Sequence, residues 1–135
     1  MITPVNLKLA KSLKEKGFDE ECRLCVEDGD KRPLPFNCGN TLHRNSLHPY
    51  YSAPTTGEVL MWLYENHGIW VYTYSVAPYI LEKEEYPKIV FVSKVQKFKE
   101  FDIFINTDNG LAVNHYKTPT EAYEAGIKYC LEKII

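Results

Sequence analysis

Residues 55–76 read Thr55-Thr-Gly-Glu-Val-Leu-Met-Trp-Leu-Tyr-Glu-Asn-His-Gly-Ile-Trp-Val-Tyr-Thr-Tyr-Ser-Val76, and this stretch decides the class of fold. Its first half has the period of a helix and its second half that of a strand. Thr55 followed three residues later by Glu58 is a capping-box pattern, in which the hydroxyl accepts from a backbone N–H and the carboxylate accepts in return. Val59, Leu60, Trp62 and Leu63 then recur at helical spacing, and Gly68 supplies the left-handed residue on which helices end. From Ile69 to Val76 the composition becomes β-branched and aromatic, which suits a pleated surface.

Two further helices are legible from their ends. At the start of the chain, Thr3 is placed to cap and Pro4 to fill the first helical position, followed by an apolar stripe of Val5, Leu9, Ala10 and Leu13 that stops at Gly17. Near the other end, Thr118, Pro119 and Glu121 open a helix whose Tyr123, Ile127, Cys130, Leu131 and Ile134 line one face. Glu124 and Lys128 are spaced to pair on its outer side. Strands are expected at 21–27, with Cys22, Leu24 and Val26 facing one way and Arg23, Cys25 and Glu27 the other, and at 69–76 and 89–95. A hairpin is expected where 101–107 runs through Asp108-Asn109-Gly110 into 111–113, because Asn-Gly tolerates the positive φ of a type I′ turn.

Residues 28–54 follow no period and hold Pro33, Pro35, Pro49 and Pro54. A structureless loop of that length is unusual inside a compact domain, so it either hides a short strand near Leu34 and Phe36 or is a functional insertion. The expected fold class is α+β, an antiparallel sheet of about four to five strands with three helices packed mainly on one face. All 135 residues are expected to form a single domain.

Composition narrows the function classes. The 44% hydrophobic and 25% charged residues are ordinary globular values, whereas ten Tyr, six Phe and two Trp bring the aromatics to 13%. A net charge of -2 argues against duplex DNA, whose binders carry a basic excess. The first residues lack a charged segment followed by an apolar one, so no signal peptide is expected. The strongly apolar run Ile69–Leu81 is too short and too rich in Tyr to span a bilayer. The expectation is a cytoplasmic protein whose cysteines are thiols.

Ala53-Pro-Thr-Thr-Gly-Glu-Val-Leu-Met-Trp-Leu-Tyr-Glu-Asn-His-Gly-Ile69 and Tyr116-Lys-Thr-Pro-Thr-Glu-Ala-Tyr-Glu-Ala-Gly-Ile-Lys-Tyr-Cys-Leu131 together resemble small uncharacterised proteins of prophages and mobile elements of gut bacteria. The resemblance spans the second and third helices and the strand after the second, and is weakest across 28–54. It implies a mobile-element accessory protein. The family has no assigned activity, so no functional residue carries over from it.

Candidate chemistry is sparse. Cys22-x2-Cys25-x12-Cys38-x4-His43, with His48 nearby, has the donor types and spacing of a tetrahedral zinc site. Strand geometry opposes it: residues three apart point to opposite faces, which sends Cys22 into the core and Cys25 to solvent. Trp70, Tyr72 and Tyr74 share one strand face, with Tyr79 just beyond. Packing beneath the helices is the fate expected of such a face, but left open it would grip a partner protein or stack bases. Lys94, Lys97 and Lys99, interleaved with Phe98 and Phe101, form a short basic segment expected to be a solvated connection. His67 is placed as a cation at a helix C-terminus, and His115 has no foreseeable catalytic neighbour. Asp19, Glu20 and Glu21 are consecutive and do not converge as a catalytic pair. No nucleophile elbow, phosphate-cradling glycine loop or H-E-x-x-H motif occurs.

These readings lead to a non-catalytic accessory or interaction protein that binds another macromolecule, a partner protein or a second copy of itself. Trp70, Tyr72, Tyr74 and Tyr79 are its candidate contacts. No cofactor, nucleic acid or membrane partner is expected. The alternative is a nucleic-acid-binding module stabilised by zinc on Cys22, Cys25, Cys38 and His43. Elemental analysis separates the two. The expected result is four free thiols, no stoichiometric metal and a melting temperature indifferent to chelator; about one zinc per chain, lost with the fold on Cys38→Ser, would overturn that expectation and favour the alternative.

Overall fold

The computed structural model describes residues 3–27, 29, 34–35, 45, 50–76, 90–97 and 115–135. Within them lie three α-helices, α1 (Leu7–Glu15), α2 (Thr56–His67) and α3 (Pro119–Tyr129), and five strands, β1 (Leu24–Glu27), β2 (Leu34–Pro35), β3 (Tyr50–Ser52), β4 (Ile69–Val76) and β5 (Val90–Lys97). The class is α+β with antiparallel pairing throughout.

The helix ends follow their local chemistry. Thr55 Oγ1 accepts from the Glu58 N–H while Glu58 Oε2 accepts from the Thr55 N–H, both at 3.2 Å, and Gly68 closes α2 at φ 63°. Thr118 caps α3, accepting from Glu121 N–H at 3.2 Å, with Pro119 in the first turn. Glu121 reaches back one residue further than the usual box, to the Lys117 N–H. Beyond Tyr129 the helix widens into a π-helical turn, Cys130–Ile134. The outer ion pair joins Lys128 to Glu132 at 3.9 Å in place of the expected Glu124–Lys128 pair. Both side chains are about half exposed, so its contribution is small.

The first helix starts later than expected. Asn6 caps it, accepting from the Leu9 N–H at 2.9 Å, while Pro4 forms a β-bridge with Thr55. Thr3 C=O accepts from Thr56 N–H at 3.0 Å and Val5 N–H donates to Pro54 C=O at 2.9 Å. Two cap-competent residues compete, and the backbone pairing with 54–56 decides for Asn6.

A single sheet of four to five strands does not form among the described residues. The strands divide into a three-stranded sheet, ordered β2-β1-β3, and a two-stranded sheet, β4-β5. Both edges of β1 are taken, by β2 and β3, which leaves it no position for β4 or β5. Pro54 follows soon after β3 and lacks a ladder N–H, and the chain then builds α2 before returning as β4. The 28–54 stretch thus contributes a short strand at Leu34–Pro35 and a second at Tyr50–Ser52, the latter too short between Pro49 and Pro54 to show a period. The 101–113 hairpin lies outside the described residues.

Cys25 is a further correction. It is buried (3%), as are Cys22 and Val26. Alternation does not extend from 22 because Arg23 is a bend and the strand proper begins at Leu24. Within β1 the neighbours Cys25 and Val26 are both covered, as in a strand packed on both faces.

The core joins α1, α2, β4, β5 and α3 through Leu9, Leu13, Leu63, Ile69, Val71, Val95, Ile127 and Leu131. α3 lies across β4 and β5, and Tyr116 just before it is pinned to Phe91 by two backbone hydrogen bonds of 2.9 Å. It comes close to the sheet at Gly126, where an added Cβ would collide with Ser93 Oγ and Val71 Cγ1.

Gly126→Ala is therefore expected to destabilise by about 1–3 kcal/mol, although alanine at an exposed helix position would gain about 1 kcal/mol. Ile127→Ala is expected to cost about 2–5 kcal/mol. Denaturant titration checks both, and a stabilised Gly126→Ala would mean that α3 sits further from the sheet.

Candidate functional site

Strand alternation sorts β4 into two unlike faces. Ile69 and Val71 are fully buried against the helices, whereas Trp70 and Tyr74 are 36% exposed on the opposite face with Tyr72 half-buried between them. The expectation that these aromatics pack beneath the helices is thus overturned. The covered face admits α3 only because Val71, Ser93 and Gly126 are small where they meet, and indole or phenol rings there would hold the helix away.

The register sets Lys94 opposite Tyr72 and Gln96 opposite Trp70. Lys94 Nζ lies 5.0 Å from the centroid of the Tyr74 ring, a cation–π contact. Lys97 pairs with Ile69 and so belongs to the other face, which separates it from Lys94; Lys99, Phe98 and Phe101 lie outside the described residues. Tyr79, Cys38, His43 and His48 also lie outside them. Among the described residues no three His, Cys, Asp or Glu side chains converge as a metal site would require.

The aromatic face continues onto α2. The Tyr64 ring stands edge-on to Trp70 at 5.7 Å, and Met61 sits one turn earlier on the same side of the helix. Met61, Tyr64, Trp70 and Tyr74 are the exposed large hydrophobic side chains of the described residues. Met61 and Tyr64 escaped the sequence reading, yet the signal was present: both fall outside the Val59, Leu60, Trp62, Leu63 stripe and so had to face away from the core.

His67 does not serve as a cation for the helix C-terminus. Its ring packs edge-on to Trp62 at 4.7 Å, and burial, with Lys97 adding, lowers its pKa and favours the neutral imidazole.

Among the described residues, grooves lie beside α2 and between α1 and α3. One, of about 460 Å³, runs beside the N-terminal half of α2 and is lined by Glu20, Glu58, Met61, Trp62 and Glu65 among others. The other, of about 390 Å³, lies between α1 and α3, where Lys8 and Lys128 offset Glu121 and Glu124 around Leu9. Burial, and then the nearby Glu121, raises the Glu124 pKa there.

The cysteines among the described residues, Cys22, Cys25 and Cys130, are free, buried thiols. Burial first, then the Glu58 carboxylate 4.0 Å away, pushes the Cys22 thiol up to about 12. Burial pushes Cys130 up to about 12 as well, and raises Cys25. Thiols held protonated this firmly are poor nucleophiles at neutral pH.

No known protein family, curated protein or solved structure matches this chain. Among the described residues, no helix is long and apolar enough to cross a membrane.

The raised thiols predict alkaline sensitivity. Above pH 9 the unfolded chain releases the Cys22 and Cys130 protons while the folded chain keeps them to about 12, so stability is full below 9 and falls progressively above it. Denaturant midpoints measured from pH 8 upward should show this decline, and Cys130→Ala should flatten it. A slope unchanged by that substitution would assign the decline to other groups.

Proposed function

We propose that this protein is a non-catalytic interaction module that binds a protein partner through the outer face of β4–β5, with Trp70 and Tyr74 as anchors and Tyr72 between them. The carrying observation is the continuity of the exposed apolar side chains from Met61 and Tyr64 on α2 to Trp70 and Tyr74 on β4. Large amphipathic rings gain contact area with little loss of rotamer freedom, and truncating such anchors costs more than truncating their neighbours. A contiguous patch of this kind marks an interaction surface more often than scattered apolar residues do. Tyr79 follows shortly after β4 in sequence and extends the candidate set.

The buried, unbridged Cys22, Cys25 and Cys130 suit a reducing compartment, which supports a cytoplasmic site of action. The resemblance of 53–69 and 116–131 supports a mobile-element accessory role. A second reading, binding of single-stranded nucleic acid, draws on Lys94 beside Tyr74, since base stacking combined with a cation is how such strands are held. It is weaker because Lys97 faces the other way and the net charge is -2.

A photo-crosslinking residue at position 70 identifies the contacting molecule in cells, after which the purified pair is titrated. Trp70→Ser with Tyr74→Ser is expected to weaken binding by roughly thirtyfold or more, since anchor truncation costs about 2 kcal/mol or more. A partner bound equally well by the double variant would remove this face from the function. Sub-micromolar anisotropy binding to an oligothymidine strand would favour the second reading, and light scattering identifies a second copy as the partner.

A further inference from the structure

The groove beside α2 meets the aromatic face at Met61 but lies away from Trp70 and Tyr74, and its charge is one-sided. Glu58, Met61 and Glu65 recur at helical spacing along the outer flank of α2. Glu20 is brought alongside because Phe18, two residues earlier, is buried edge-on against Trp62 at 5.3 Å. Among the described residues, no lysine or arginine lines the groove. Met61, on its wall, is 46% exposed, the highest value among the large hydrophobic side chains of the described residues. The helix buries its core stripe through Val59, Leu60, Trp62 and Leu63, so packing does not call for an apolar residue at 61.

We propose that this groove docks a basic amphipathic helix of another protein, with lysine or arginine side chains against Glu20, Glu58 and Glu65 and one apolar side chain on Met61 and Trp62. Charge complementarity selects the occupant. Carboxylates gathered around one concave surface give it a negative potential, which attracts a cationic segment and opposes a nucleic acid. The spacing selects the form. Glu58 and Glu65 are seven residues apart, about 10 Å along the axis, which matches two turns of a partner helix carrying basic residues at i and i+7 and an apolar residue between. Glu58 holds its capping bond to the Thr55 N–H through Oε2, so only part of its carboxylate is committed within the chain.

The probe is a fluorescein-labelled peptide of about 18 residues, long enough for helix, with leucine on one face and lysine on the rest; a glutamate-for-lysine version is the control. Anisotropy should show saturable binding of the lysine peptide, weakened severalfold between roughly 50 and 200 mM salt by screening, and none of the control. Glu20→Lys with Glu65→Lys should weaken it at least tenfold, and Met61→Ser severalfold. These positions are exposed, and circular dichroism verifies that the variants fold. Trp70→Ser with Tyr74→Ser should leave peptide binding unchanged, so this proposal and the aromatic-face reading fail separately. Absence of saturable binding would overturn the proposal. So would indifference to Glu20→Lys with Glu65→Lys, or indifference to Met61→Ser, which would reduce the effect to bulk charge attraction.

Discussion

The close approach of α3 to the β4–β5 sheet at Gly126 is the constraint on which the rest of the structure depends. With no Cβ at 126, the helix backbone comes within contact of Val71 and Ser93. That distance sets which side chains fit beneath the helix, and only the Ile69, Val71 and Val95 face meets it. A strand offers two faces and no third, so the larger Trp70, Tyr72 and Tyr74 are left on the other side. The price of this fit includes Ser93 Oγ, buried without a hydrogen-bond partner, a loss on the order of 1–3 kcal/mol that the burial around it must offset.

Around that contact the chain is held by short backbone pairings at its junctions. The Pro4–Thr55 bridge ties the lead-in of α1 to the start of α2, and the Phe91–Tyr116 bridge ties β5 to the start of α3. Asn45 performs a similar task with a side chain. Its amide donates to Phe18 C=O at 2.7 Å and its carbonyl accepts from Ser52 N–H at 2.7 Å, which joins the end of α1 to β3. A buried polar link of this kind favours one arrangement of the chain, because losing either partner would strand the other away from water. The Asn45 link also fixes where Phe18 lies, and through it the position of Glu20 beside α2.

The two candidate surfaces follow from these constraints by different routes. The aromatic face exists because the helices occupy the opposite side of the sheet. The acidic groove exists because Phe18 docks on Trp62 and carries the following glutamates to a helix whose outer flank already bears Glu58, Met61 and Glu65. Neither contains an activated nucleophile among the described residues, and the buried thiols are held in their protonated form. Both surfaces suit recognition by shape and charge.

What the sequence by itself determined was local. The Thr55–Glu58 box, Gly68 as the end of α2, Thr118 and Pro119 at the start of α3, and the strand 69–76 depend on residues within a few positions of one another, where propensity and capping chemistry are decisive. Grouping Trp70, Tyr72 and Tyr74 on one face was legible for the same reason. Which way that face turns was not, because it depends on Gly126, more than fifty positions away. The cap of α1 was decided by pairing with 54–56, and the burial of Cys25 by neighbours on both sides of β1. The division into two sheets was decided by the filling of both edges of β1. Each of these required contacts between distant segments, whose energy a period or a spacing does not contain.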